Sequence, residues 1–152
     1  MRRRSELRRL AALGAWVFLL HLTAAAQTAC AGGAPAFHGG RAFEDLKRLV
    51  AFGPRPSGSP ALEQSRRWIV SRLKQAGLEA EEDSFVATTP AGRVPMTNLI
   101  ARIPGARQRI VILAGHYETK RFDGFPFVGA NHGGSSAAFL LEMARVLARR
   151  KN

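Results

Sequence analysis

Residues 110–113 read Ile-Val-Ile-Leu, a continuous apolar run between Arg109 and Ala114. Side chains of a strand point to opposite faces in turn, so such a run needs apolar cover on both faces. It predicts a strand over Arg109–Ala114 in the middle of an α/β sheet. Gly115 and His116 follow directly, at the kind of strand end where open α/β sheets gather their function.

The rest of the chain supplies partners for such a strand. Phe43, Leu46, Leu49 and Val50 recur at helical spacing and predict a helix over Arg41–Phe52. Gly53–Ser59 holds two glycines and two prolines and is a loop. Ser59 then caps a second helix with Pro60 at its first position, where a missing N–H costs nothing. That helix runs through Leu62, Ile69 and Leu73 and stops at Gly77, with Arg72 and Lys74 in its last turn. Trp68 reads as a core or partner-facing residue. Ala80–Thr88 and Met96–Ile103 read as strands around a Pro90-Ala91-Gly92 turn. A third helix starts at Ser135 or Ser136. Its apolar face is expected to be Phe139, Leu140, Met143, Ala144 and Leu147, with Glu142, Arg145 and Arg149 along the other side.

The first residues read as an address. Five arginines up to Arg9 precede a stretch from Leu10 to Ala26 that is apolar apart from His21 and Thr23. A basic head, an apolar run and Ala24-Ala25-Ala26 have the form of a secretory signal peptide. The run also lies at the lower edge of what spans a bilayer, so residues 1–26 are a signal peptide or a membrane anchor. Thr28-Ala29-Cys30 resembles the end of a lipobox, which adds a lipid on Cys30 as a further outcome. These outcomes place the protein as secreted, periplasmic or a membrane-anchored lipoprotein. Residues 27–40 read as a linker, with His38 exposed in it.

Charge has to be judged after that segment. The net charge is +12, and removing five arginines and Glu6 with residues 1–26 leaves +8. The basic residues are dispersed, and no helix-turn-helix, zinc-finger spacing or RNA-binding aromatic motif is present. Nucleic acid is therefore not an expected partner. A single cysteine excludes a disulfide framework and a cysteine-based zinc finger.

Two constellations carry chemistry. In Gly115-His116-Tyr117-Glu118-Thr119-Lys120, the His116 imidazole could bind a metal or act as a base, with Glu118 orienting it. The plainer reading is a strand-end histidine bonded to a loop carbonyl. In Gly129-Ala130-Asn131-His132-Gly133-Gly134-Ser135-Ser136, polar groups sit among glycines just before a helix, where backbone can approach a ligand closely. An oxyanion-hole reading of His132-Gly133-Gly134 would need a Gly-x-Ser-x-Gly elbow, and the sequence has none.

The run from Val111 to Lys120, the run from Phe127 to Ser136 and Leu140–Arg145 together resemble zinc aminopeptidase family twenty-eight and its glutaminyl cyclase branch. The Asp83–Ile100 hairpin and the Gly53-Pro54-Arg55 loop match as well. The resemblance covers residues 41–150, and residues 41–152 are expected to form the N-terminal part of a zinc exopeptidase-like domain. It implies an incomplete α/β fold with a central mixed sheet flanked by helices, and a site for one or two zinc ions. It makes His116 a zinc ligand and gives Glu118 the catalytic role of orienting it, where the family has Asp. It places His132 where the family has an Asp that binds or bridges zinc. The implied substrate is a peptide or protein N-terminus, cleaved by an aminopeptidase or cyclised by a glutaminyl-peptide cyclotransferase.

A Glu-Glu pair, a further acidic ligand and a distal histidine complete the family's site, and no residue up to Asn152 matches them. Whether the chain is an enzyme is therefore open. The expectation is a truncated form of an exported zinc enzyme. The alternative is a non-catalytic remnant or binding-only fragment.

Overall fold

In the computed structural model, residues 36–90 and 92–150 are described. The expectations for residues 1–26, for Cys30 and for the linker up to Pro35 lie outside them. Among the described residues, no helix is long and apolar enough to cross a membrane.

Among the described residues, three α-helices and a hairpin run in the order α1 (Gly39–Ala51), α2 (Pro60–Gln75), β1 (Ala80–Thr89), β2 (Gly92–Ala101) and α3 (Ser135–Ala148). Helix α1 starts two residues before the expected Arg41, because His38 is its cap: Nδ1 accepts a hydrogen bond from the Arg41 N–H at 3.1 Å. Ser59 caps α2 as expected, accepting from the Leu62 N–H at 3.1 Å. Gly77 ends it in the left-handed region at φ +80°, which glycine adopts without a Cβ penalty.

β1 and β2 form an antiparallel pair in register from Ala80–Ala101 to Thr89–Gly92. β2 begins four residues before the expected Met96. Across the pair, the Ser84 and Thr97 hydroxyls lie 3.0 Å apart, and the Asn98 amide donates to Asp83 at 3.2 Å.

The core lies between the helices. Leu49 of α1, Ile69 and Leu73 of α2, Leu78, and Ala137, Ala138 and Leu141 of α3 are buried together. Leu99, Ala101, Ile103 and Tyr117 pack against them from the hairpin side.

Helix α3 faces the core with the side expected to be polar. Glu142 and Arg145 are buried, whereas Phe139 is 47% exposed and packs on Phe37 with ring centroids 5.5 Å apart. Glu142 accepts from Arg41 Nε at 2.7 Å, Arg41 Nη2 at 2.6 Å, the His38 N–H at 3.0 Å and Arg145 Nη1 at 3.1 Å. Asp45 lies 2.6 Å from Arg145 Nη1 and 3.1 Å from Arg72 Nη2. Burial of charge is tolerated only where it is paired and hydrogen-bonded. This cluster pairs its charges across α1, α2 and α3, while Asp45 Oδ2, Arg72 Nε and Arg145 Nη2 stay buried without a hydrogen bond.

The Arg109–Ala114 segment differs from its expected state. It pairs with no strand among the described residues. Ile110, Val111 and Ile112 are each more than 80% exposed. A strand is made by its hydrogen-bonded neighbours rather than by its own side chains, and here the apolar run has none. The incomplete α/β class stands, but among the described residues the expected central mixed sheet is reduced to one antiparallel hairpin packed beside the helices, with an uncovered apolar segment.

Candidate functional site

The stretch that follows this uncovered segment is firmly held. From His116 to Thr119 the side chains alternate between two directions, as an extended backbone requires. Tyr117 and Thr119 point inward. The Tyr117 hydroxyl donates to the Thr97 carbonyl at 2.8 Å, and burial pushes its phenol above the ordinary range. Thr119 is 3% exposed. Its N–H donates to the Arg55 carbonyl at 2.9 Å, and its Oγ1 accepts from the Arg55 N–H at 2.8 Å. His116 and Glu118 take the other direction and stay partly exposed.

The second constellation reaches the same place from the start of α3. Ala130–Gly134 forms a wide helical turn that breaks at His132 (φ −114°, ψ 106°) and Gly133 (φ 84°, ψ −46°). The break swings His132 over His116. Their ring centroids are 4.6 Å apart, edge to face at 75°. On the other side of His116, Nδ1 lies 3.2 Å from Glu118 Oε1. Ser136, in the first turn of α3, donates to both the His116 carbonyl (2.8 Å) and the Gly133 carbonyl (3.0 Å). One hydroxyl thus ties the two histidine-bearing segments together. Phe127 closes one flank, with its ring 5.9 Å from that of His132.

The structure therefore brings together all three residues singled out from the sequence. Ser136, Arg55 and Thr119, which hold them in place, carried no local signal. A loop arginine is ordinarily solvated, and a serine in a first helical turn is ordinarily a cap.

Gly133 is where backbone freedom decides the geometry. A Cβ there would sit 2.5 Å from the Glu118 carbonyl oxygen and 3.0 Å from His116 Cε1, at a positive φ. Substitution to alanine should therefore cost more than the ~1 kcal/mol of an ordinary Gly-to-Ala conflict. Urea denaturation of Gly133→Ala checks this, and a loss under about 0.5 kcal/mol would mean that the turn relaxes freely.

A carboxylate at Nδ1 fixes an imidazole and leaves its Nε2 for a metal. Two edge-to-face imidazoles suit a borderline ion such as zinc. Among the described residues, however, no group of three or more His, Cys, Asp or Glu side chains is placed to hold a metal ion. Catalytic zinc takes three protein ligands and a water. The pair fits zinc in donor type and falls short of it in number.

Comparison with known proteins gives the context. The model of peptidase family M28 matches residues 98–152, which contain all three site residues. A glutaminyl-peptide cyclotransferase-like protein of Bos taurus is 38% identical over 97 residues, 61% of this chain and 25% of that protein. Glutaminyl cyclase from an Acidobacteriales bacterium is 39% identical with a TM-score of 0.69, over 77% of this chain and 42% of that one. A zinc-dependent exopeptidase from Parabacteroides distasonis is 25% identical with the same TM-score, over 78% and 44%. The chain spans about a quarter of the length of the curated relative and under half of the solved structures. The sequence match over residues 98–152 and the fold match to solved structures agree: the chain is similar to peptidase family M28 and to its glutaminyl cyclase branch.

Proposed function

We propose that this chain carries the histidine-bearing part of a zinc site that acts on peptide N-termini, and that its reaction is glutaminyl cyclisation. One observation carries the proposal: two segments 16 residues apart converge to set His116 and His132 at 4.6 Å, with Glu118 beside the first. Sequence similarity to proteins named glutaminyl-peptide cyclotransferase supports cyclisation over hydrolysis. In that reaction the peptide's α-amine attacks the glutamine side-chain carbonyl carbon and ammonia leaves. A zinc ion supplies Lewis-acid polarisation of that carbonyl when bound. His116 and His132 would hold it, Glu118 would fix the ring of His116, and Ser136 would hold the spacing of the two segments. Further ligands have to come from outside this set. Aminopeptidase action is the second reading, favoured by similarity to a zinc-dependent exopeptidase. Export through residues 1–26 is part of the same proposal.

The test is zinc titration of the purified protein together with ammonia release from a glutaminyl peptide. Glu118→Ala should weaken zinc binding by about 10–100-fold, the usual effect of removing a partner of a ligating histidine. His132→Asp should strengthen it by adding an anionic donor. Wild-type protein that retains no zinc, or zinc affinity indifferent to both substitutions, would overturn the metal reading. Bound zinc with aminoacyl hydrolysis and no ammonia release would move the assignment to the aminopeptidases. Bound zinc with neither activity would make the chain a binding-only form.

A further inference from the structure

Among the described residues, two strand edges of opposite character lack a partner. The first is the run from Arg107 to Leu113. Its Ile110, Val111 and Ile112 are almost fully exposed and Leu113 is half exposed, so neither face of the segment is covered. The second is the outer edge of β1, which pairs with β2 alone among the described residues. Residues 81–86 of β1 read Glu-Glu-Asp-Ser-Phe-Val and are all exposed. An open edge of this kind is a template for a further strand. The other edge of the hairpin, that of β2, is a poorer template. Pro95 has no N–H to give, and Arg93 repels a basic strand.

We infer that the Arg107–Leu113 run of one molecule adds to the β1 edge of a second copy, parallel to it and in the register that sets Arg109 beside Asp83. Charge selects this partner. In that register Arg107 meets Glu81 and Arg109 meets Asp83, while Val111, Ile112 and Leu113 meet Phe85, Val86 and Ala87. Opposite charges and apolar pairs across strands both favour pairing. Glu81 already pairs with Arg102, and Asp83 accepts from Asn98. Both carboxylates are exposed, and a carboxylate has further lone pairs to offer. A shift of two residues sets Val111 against Asp83 or Arg109 against Phe85. The antiparallel arrangement that keeps Arg109 on Asp83 sets Val111 against Glu81. Antiparallel pairing of the run with its own copy matches the apolar residues but leaves Arg107 opposite His116 and neutralises no charge. The contact joins two different surfaces, so each pair keeps a free run at one end and a free β1 at the other. Association then proceeds along a chain instead of closing in a dimer. This inference is independent of the metal reading above.

The experiment is sedimentation velocity of the whole chain at rising concentration, with amide exchange at the same concentrations. The average mass should climb without levelling at a dimer, and exchange should slow in residues 109–114 and 81–87 together. Val111→Lys changes an exposed position and should abolish association. Arg109→Asp and Asp83→Arg should each weaken it about fivefold, and the double variant, with the two charges exchanged, should return to within about twofold of wild type. Thermal melts confirm that the variants stay folded. A mass that does not change with concentration would overturn the inference. So would a mass that levels at a dimer, as symmetric pairing of the run with its own copy would give. Slowed exchange in only one of the two segments, association untouched by Val111→Lys, or a double variant no better than the single ones would overturn it as well.

Discussion

Glu142→Gln should remove most of the protein's acid sensitivity between about pH 4.5 and pH 2, and should lower its stability at pH 7 by about 3 kcal/mol. The Glu142 carboxylate is fully buried. Hydrogen bonds from Arg41 hold its pKa down to about 2 against an ordinary 4.5. Burial opposes them, and the His38 N–H and Arg145 add to them. A group whose folded-state pKa is depressed contributes stability above its unfolded pKa and loses it as pH falls through the folded one. The contribution is thus complete above about pH 4.5 and gone near pH 2. Lowering the carboxyl from 4.5 to about 2 corresponds to about 3 kcal/mol. Glutamine keeps the volume but cannot titrate. Its amide also offers donors to guanidinium groups that need acceptors. Breaking one member of a buried ion cluster costs about 3–5 kcal/mol in general, and here the part-exposed Arg41 can turn to water. Urea denaturation at several pH values should show the wild-type and variant curves converging as pH falls. Parallel curves would mean that another group carries the acid transition.

Arg55→Met should destabilise the chain by about 3 kcal/mol and disturb the histidine site that it never touches. Arg55 is fully buried, and Nη1 donates to the Leu49 carbonyl at 2.7 Å and the Gly53 carbonyl at 2.8 Å. The Leu49 carbonyl belongs to the last turn of α1, where it also accepts from the Phe52 N–H at 3.3 Å, and the C-terminal end of a helix favours a cation. A longer contact of 3.4 Å runs from Nε to the Tyr117 carbonyl, next to His116. Burial lowers the guanidinium pKa. Methionine fills a similar volume but takes the donor from the Gly53 carbonyl, at about 1–3 kcal/mol, and leaves the Leu49 carbonyl with only the Phe52 N–H. Lysine has one ammonium in place of a planar fork and should recover less than half. Chemical denaturation gives the energy, and the His116 ring proton shift reports the disturbance of the site. A loss under about 1 kcal/mol would show that water replaces the guanidinium.

The sequence was most legible where the cause is local. The cap at Ser59, the stop at Gly77 and the hairpin turn each depend on one or two side chains within a few residues. His116, Glu118 and His132 were legible for a related reason: glycines and a strand-like run mark backbone that must approach something closely. Helix α3 was misread because its burial is decided elsewhere. Glu142 and Arg145 look like a solvated stripe unless Arg41, Asp45 and Arg72 are brought to them, and no local pattern records that pairing. The Ile110–Leu113 run shows the opposite failure. Its composition states what the segment needs, but cover comes only from other chain segments.

The Arg41–Glu142 pair spans 101 positions, and that span sets a clock. Chains are synthesised at about 5–20 residues per second. Roughly 5–20 s therefore pass between the emergence of α1 and the arrival of the carboxylate that holds it. A 13-residue helix is marginal alone in water. During this interval Arg41 and Asp45 remain hydrated, and α1 forms and melts many times. Its final capture by the Glu142 carboxylate waits for α3.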